Sequence, residues 1–435
     1  MADTNPPLLA DIQEAQILKN LRPNTVYNIL DGAFFGFAIG FASFMTIIPL
    51  FISTLTGSAI LIGMIPAIHN MGWQLPQLLI ANRVSRQRRY KPMVLKVTIH
   101  ERLPYLGLAV LAWFSPYLGV HNALVLAFIL LIWQGLGSGF TAAPWQSMIA
   151  RIFPADRRGT FYGAQSSAAN LLASLSAILA GFILSNLVSP LDFTLCFTFA
   201  SIWMTVSWLA LAMTREPARQ NQPAPVDTGT FWKNIARILR EDTNFRWFLV
   251  VRMLSQIAVM GFSFYTVYTV KFLGMPEVTI GIMTGVLMAT SIVANPVMGW
   301  LGDRWGHRSI MAFGMLAAAA SGLLAWLVHD PKWFYLVFVL AAFANVANWT
   351  IPLAMIPQFA SEPDRPSYIG MANTFIAPVT VLAPLLGGLL AEVAGYPSTF
   401  LVSAVGGLVT AAFLQAKVRN PHQQSKTRYS PKENV

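Results

Sequence analysis

Residues 299–309 read "GWLGDRWGHRS". The stretch closes one apolar run and opens another, so Asp303, Arg304, His307 and Arg308 crowd a turn between two hydrophobic segments. Gly299 permits close helix approach, and Gly302 and Gly306 allow a tight turn. Asp303 is suited to accept from the N-terminal N–H groups of a neighbouring helix and to oppose its dipole. A merely solvated basic turn is the alternative, and the rest of the chain decides between them.

The chain has 435 residues, 55% hydrophobic and 11% charged, with a mean hydropathy of +0.55. Soluble domains carry about 25% charged residues. The natural solvent for this composition is a lipid bilayer, where each span needs roughly 20 apolar residues. Apolar runs and their breakers place twelve spans near 25–53, 58–81, 92–114, 120–150, 159–186, 191–213, 245–272, 277–301, 308–328, 333–357, 368–392 and 396–416. Breakers such as "TLTGS" (54–58) and "WFSPYLGVHN" (113–122) divide runs too long for one crossing. The N-terminus, "MADTNPPLLADIQEAQ", lacks a basic n-region and an early apolar stretch, so it is not read as a cleavable signal peptide.

Of the 29 Lys and Arg residues, 25 fall in the termini and in connections that share one side of this twelve-span layout. Lys271 and Lys332 fall on the other side, and Arg102 and Arg252 lie inside spans. The bias places both termini in the cytoplasm of a cell-membrane protein. Residues 214–244 form the longest internal connection. It begins Pro- and Gln-rich, and then "FWKNIARILR" sets Phe231, Trp232, Ile235, Ile238 and Leu239 opposite Lys233, Arg237 and Arg240. That pattern suits an amphipathic helix on the cytoplasmic surface. The layout is therefore an N-terminal segment (1–24), a six-span bundle (25–213), the linker (214–244), a second six-span bundle (245–416) and a tail (417–435).

The net charge of +11 does not indicate nucleic acid, because the basic residues sit between hydrophobic runs rather than on one face of a polar domain. The single cysteine, Cys196, excludes an intrachain disulfide and a Cys-based metal site. No Walker-type loop, nucleophile motif, metal cluster or cofactor loop is recognisable, so neither a cofactor nor an enzyme activity is expected. "GLGSG" (135–139) lies inside an apolar span, where small residues serve helix contact.

In this setting, 299–309 resembles the signature loop of the major facilitator superfamily, through Gly299, Leu301, Gly302, Asp303, Arg304, Gly306, His307 and Arg308. "PADRRGTFYG" (154–163), "EPDRPSYIG" (362–370) and "APLLGGLLAEVAGY" (383–396) are similar to family features near the fifth and eleventh spans. The resemblance implies an all-α fold of twelve transmembrane helices in two pseudo-symmetric bundles. It also implies secondary transport of a small solute by alternating access, with Asp303 latching the cytoplasmic side and no ATP consumed. The equivalent first-half loop, "IANRVSRQRR" (80–89), departs from the family pattern: Asn82 replaces the Asp and Ser85 the Gly, while Arg83 remains. Leu131 stands where an antiporter motif has Arg, and the fifth span lacks the Gly-Pro bend, both of which argue against drug–proton antiport.

Charges inside spans are costly and point to function. Asp31 in "NILDGAFFGF" maps through an offset of 221 residues onto Arg252. One expectation is that the two face each other across the cytoplasmic mouth and pair as the halves rock; the other is helix-end stabilisation by Asp31 and snorkelling by Arg252. His69, Glu101 and Arg102 form a deeper group, read either as a proton site or as a structural ion pair with a satisfied histidine. In the family the first, fourth, seventh and tenth helices line the central path. The candidates there are Ser43, Thr46, Gln134, Gln146, Gln256, Tyr265, Tyr268, Asn345, Asn348 and Trp349. Uncharged amides and aromatics suit an uncharged or amphipathic solute. The expected partners are a small solute, the bilayer and protons, with the chain a monomer. The competing class is a non-transporting sensor or assembly factor on the same scaffold.

Overall fold

The computed structural model describes residues 9–219, 227–276 and 278–420. Within them the apolar runs are helices, and no strand forms. In chain order these are α1 (Leu9–Phe41), α2 (Ile47–Leu55), α3 (Ala59–Gln74), α4 (Pro76–Ser85), α5 (Lys91–Val97), α6 (Ile99–Leu118), α7 (Val120–Ile152), α8 (Arg158–Asn186) and α9 (Leu191–Ala212). The chain continues as α10 (Thr228–Glu241), α11 (Thr243–Ala258), α12 (Phe262–Lys271), α13 (Val278–Trp305), α14 (His307–Leu327), α15 (Phe334–Met355), α16 (Arg365–Thr374), α17 (Ala377–Ala394) and α18 (Tyr396–Lys417).

Among the described residues, nine stretches are long and apolar enough to cross a bilayer, from Val120–Ile152 to Tyr396–Lys417. The three spans expected before residue 120 are not among them. The first breaks between α1 and α2, and α1 itself begins at Leu9, well ahead of residue 25. The second breaks before Pro76, which has no N–H to continue a helical ladder. The third breaks at Thr98, and its longer piece carries Glu101 and Arg102. Large apolar side chains line the outside of the bundle, among them Ile178, Phe182, Leu385 and Val393. A water-soluble monomer rarely exposes so broad an apolar surface; facing lipid, it costs nothing.

Two halves result. In the first, α1 packs on α8 and α9, and α6 on α7 and α9; in the second, α14 packs on α15 and α18, and α11 on α18. Small residues let the backbones approach: a Cβ on Gly36 would lie 2.2 Å from the Ala169 carbonyl oxygen on α8. The halves meet where α8 runs along α13 and α4 along α16. These seams lie at the end that bears the Arg- and Lys-rich loops. There Leu78, Ala81 and Ala143 of the first half share an apolar core with Phe245, Phe248, Met298 and Met355 of the second. Towards the opposite end the cores separate: one holds only first-half residues such as Phe51, Tyr105 and Phe197, the other only second-half residues such as Tyr265, Phe334 and Phe400.

The surface helix α10 starts at Asp227, whose carboxylate accepts from the Thr230 N–H. Phe231 and Ile235 are buried against the second half, with Ile238 and Leu239 packed beside them. Trp232, expected on the same apolar face, is 43% exposed instead. It lies at the edge of the apolar face, about 100° round the helix from Phe231, with its ring edge-on to the Phe231 ring.

Gly36→Leu is expected to force α1 from α8, at a cost of about 1–3 kcal/mol typical of overpacking. Gly181→Leu, also on α8 but with open space around it, is the control. The check is thermal unfolding in detergent: Tm should fall for the first and hold for the second.

Candidate functional site

Two regions gather the polar chemistry. The first is the seam at the basic end. Asp303, on the last turn of α13, meets the first turn of α8, where unpaired N–H groups and the helix dipole favour a carboxylate. One oxygen accepts from Gly159 N at 2.8 Å, and the other from Thr160 N at 2.6 Å and the Thr160 hydroxyl at 2.7 Å. His307 Nε2 lies 3.4 Å from the same carboxylate. The approach needs glycine on both sides, since a Cβ on Gly299 would lie 2.1 Å from the Gly159 carbonyl oxygen. Gly306 has φ +89°, which suits glycine, and turns the chain from α13 into α14. Arg304 stacks over the Trp300 ring at 3.9 Å. Arg308 donates to the Val418 carbonyl and to Gln415. Arg83, at the first-half position, is exposed.

Across the same seam Arg151, the last charge on α7, joins both halves. It pairs with Glu216 of its own half at 2.9 Å and Glu362 of the other at 2.6 Å, and its guanidinium lies 3.9 Å over the Tyr90 ring. Burial pushes the Glu216 carboxyl up from its ordinary range, while the Lys91 and Tyr90 N–H groups and Arg151 pull it down. Arg365, from α16, donates to the Ala150 carbonyl at the C-terminal end of α7. The α4–α16 seam is held by Asn373 donating to Gln77 at 2.8 Å and Thr374 donating to the Gln74 carbonyl at 3.0 Å. Sequence reasoning missed Arg151, Glu216 and Glu362. They lie far apart in the chain, and no spacing signals that they converge.

The second region lies inside the first half. Arg102 on α6 donates to Met204 O (3.1 Å), the Ser207 hydroxyl (3.0 Å), Asp31 (3.3 Å) and Thr98. Ser207 also donates to Asp31, at 2.6 Å, and Glu101 lies 3.6 Å from the guanidinium. All three charged residues are less than a tenth exposed. The expected Asp31–Arg252 pair across the mouth is not made, although the basic end is closed. Arg252 is 2% exposed and donates to the Asn348 carbonyl at 2.5 Å, within the second half. The alternative fails as well: Asp31 lies well inside α1, which begins at Leu9, rather than at a helix end, and Arg252 is buried rather than at the surface. The reason is local: α1 turns Asp31 towards α6 and α9, and α11 turns Arg252 towards α15.

The remaining candidates scatter. His69 shares a hydrogen bond with Gln134 at 3.1 Å and stacks on Phe44 at 3.9 Å. Gln256 and Ser255 both donate to Asn348 Oδ1, and Trp349 meets Trp73 edge to face across the two halves at 6.2 Å. Gln146 is fully buried beside the Asp31 group. Ser43 and Thr46 sit in the α1–α2 break, where Ser43 Oγ accepts from Met45 N. Asn345 is exposed. Tyr265 and Tyr268 pack into the aromatic core of the second half with Phe334 and Phe400, and Tyr265 meets the Ser321 hydroxyl at 3.0 Å. Nothing brings those two tyrosines to the Asp31 group. Among the described residues, no group of three or more His, Cys, Asp or Glu side chains is placed to hold a metal ion.

The Major Facilitator Superfamily model matches residues 97–289 and 253–433. The chain is 29% identical over 141 residues to the vesicular acetylcholine transporter of Mus musculus, covering 32% of this chain and 27% of that protein. It is 25% identical over 181 residues to the staphyloferrin B transporter of Staphylococcus aureus, covering 39% of this chain and 42% of that one. The alignments thus span less than half the length of these curated relatives. Among solved structures, a Major Facilitator Superfamily transporter, FucP, in the outward conformation is similar with a TM-score of 0.72 at 14% identity, over 90% of this chain and 98% of that one.

Arg151→Met is expected to destabilise the protein by about 3–5 kcal/mol, the usual consequence of breaking a buried ion pair. Arg151→Lys keeps the charge but lacks the two-pronged geometry, and its loss should be smaller. Tm in detergent reads both; an Arg151→Met protein as stable as the parent would show that the bridge contributes nothing.

Proposed function

This chain belongs to the Major Facilitator Superfamily, and on that premise we propose that it is a twelve-span secondary transporter moving a small solute across the cell membrane by alternating access. The observation that carries this reading is the asymmetry of the contact between the halves. At the basic end they share an apolar core and are pinned by Asp303 on α8, Arg151 on Glu362 and Asn373 on Gln77. Towards the other end their cores are separate. The excess of Lys and Arg assigns the closed end to the cytoplasm, so the protein faces outward. Release inward requires breaking these polar contacts and parting the apolar core that the halves share at the same end.

The coupling group is Asp31, Glu101 and Arg102, two carboxylates on one guanidinium. A buried site with one carboxylate in surplus is suited to take up and release a proton. His69, tied to Gln134 and Phe44, is the second candidate. Asp303 and its glycines form the latch.

The test is uptake of a panel of labelled solutes into liposomes holding the purified protein, with and without a pH gradient. At least one solute should accumulate, and a pH gradient should change its rate. Asp303→Ala removes three bonds that hold the closed end and is expected to change that rate about tenfold, the effect of roughly 1.4 kcal/mol on the balance of states. A pH profile left unchanged by His69→Ala removes that histidine from coupling. If no solute moves in any arm, the protein is a binding protein on a transporter scaffold.

A further inference from the structure

The Asp31 group does not fill its surroundings. It borders a cavity of about 250 Å³ enclosed mainly by α1, α6, α7 and α8, with Leu353 of the second half at its rim. Asp31, Glu101 and Arg102 supply its charge. Two carboxylates face one guanidinium, so with both ionised the site carries one uncompensated negative charge. Arg102 supplies a single positive charge, and four of its N–H groups are engaged by Met204, Thr98, Ser207 and Asp31.

Two independent features indicate a ligand. The first is Gln146, on the cavity wall and 0% exposed, whose amide oxygen and nitrogen both lack a hydrogen-bond partner. Ser138, on the same wall and 2% exposed, has an unpartnered hydroxyl. Buried polar groups are nearly always satisfied, and one left open costs about 1–3 kcal/mol, so α7 carries beside the cavity two polar side chains whose bonding a rotation towards a bound molecule would complete. The second feature is aromatic: Trp73 and Trp145 line the same space, as does Phe35, whose ring already faces the Arg102 guanidinium, and aromatic faces attract cations.

The chemistry of the ligand follows by elimination. An anion is repelled by the surplus carboxylate. A hard metal ion requires about six oxygen ligands in a compact shell, and this wall is largely aromatic and apolar. A sugar requires hydrogen-bonding groups around its whole ring, whereas the unmet groups here are confined to α7. What remains is a cation with an apolar body.

We propose that this cavity binds a small organic monocation, an amine or quaternary ammonium. Its charge lies against Asp31 and Glu101, its apolar body between Trp73 and Trp145, and any hydrogen-bonding group against Gln146 and Ser138. This names a substrate class for the transporter proposed above and rests on that reading for its purpose, though not for the binding itself. It also revises the expectation of an uncharged solute, which came from the amides and aromatics before the carboxylates were placed beside them.

The experiment is equilibrium binding of radiolabelled tetraethylammonium to the purified full chain in detergent, in mildly alkaline buffer so that carboxylate protonation is minimal. Saturable binding is expected, displaced by unlabelled tetraethylammonium but not by triethylcarbinol, a neutral molecule of similar bulk, or by butanesulfonate. Asp31→Asn and Glu101→Gln should each weaken binding at least tenfold, as one charge lost at contact distance implies. Trp145→Leu, which leaves the ion pairs untouched, should weaken it several-fold and decides the matter if the charge variants do not fold. Absence of saturable binding overturns the proposal. So does equal displacement by triethylcarbinol, or unchanged affinity in the monodisperse variants. Binding without liposome uptake of any solute would instead overturn the transporter reading alone, and uptake of neutral solutes without this binding would overturn the cation site alone.

Discussion

The hydrogen bonds between the first turn of α8 and the Asp303 carboxylate are the constraint on which the arrangement of the two halves depends. A helix N-terminus at the edge of a membrane has N–H groups that the helix cannot satisfy and a dipole that favours an anion. Asp303 meets both needs from the other half of the chain. The contact requires backbone at backbone distance, which explains glycine at 159 and 299. It also draws Asn295 and Gly163 into line, so that α8 and α13 stay together for several turns. Arg151 and the α4–α16 seam then close the remainder of the same end.

A second constraint acts within each half. A charge in a low-dielectric interior persists only if it is paired or fully hydrogen-bonded. Arg102 meets this with two carboxylates, a hydroxyl pair and a carbonyl. Arg252 meets it only in part: it donates to the Asn348 carbonyl, and its Nε has no hydrogen-bond partner. The halves therefore share topology but not chemistry: the first holds a carboxylate surplus beside an aromatic cavity, the second a lone guanidinium beside amides. The cavity in the first half, bordered by that surplus, is electrostatically one-sided, which is the basis for proposing that it takes a cation.

How much of this was legible in advance differs by interaction range. The signature loop was readable because its residues are contiguous and its flanks are apolar, so Asp303 and its glycines follow from local spacing. The amphipathic α10 was readable for the same reason, except that Trp232, at the edge of the apolar face, stays exposed while Phe231 is buried. The first three spans were drawn as continuous because their hydropathy is continuous. Pro76 and Thr98 mark helix breaks that do not break the apolar average. The offset that joined Asp31 to Arg252 compared positions in two repeats, and even true equivalence by an axis between the halves would not bring two side chains into contact.

By itself the sequence determined the solvent, the family and the segment that pins the halves together. Each rests on composition, period or contiguous spacing, which are local quantities. Only the tertiary structure decided which charges are partners. Asp31 and Arg102 are 71 residues apart, and Arg151 and Glu362 are 211 apart. Such pairs are chosen by which faces of separate helices pack together, and helix rotation within a bundle is set by side-chain volume and glycine contacts along whole seams. That is also why the cavity beside Asp31 escaped the sequence: its two carboxylates, open amide and aromatic walls come from four separate helices of the first half, α1, α3, α6 and α7, and become one site only when the helices are packed.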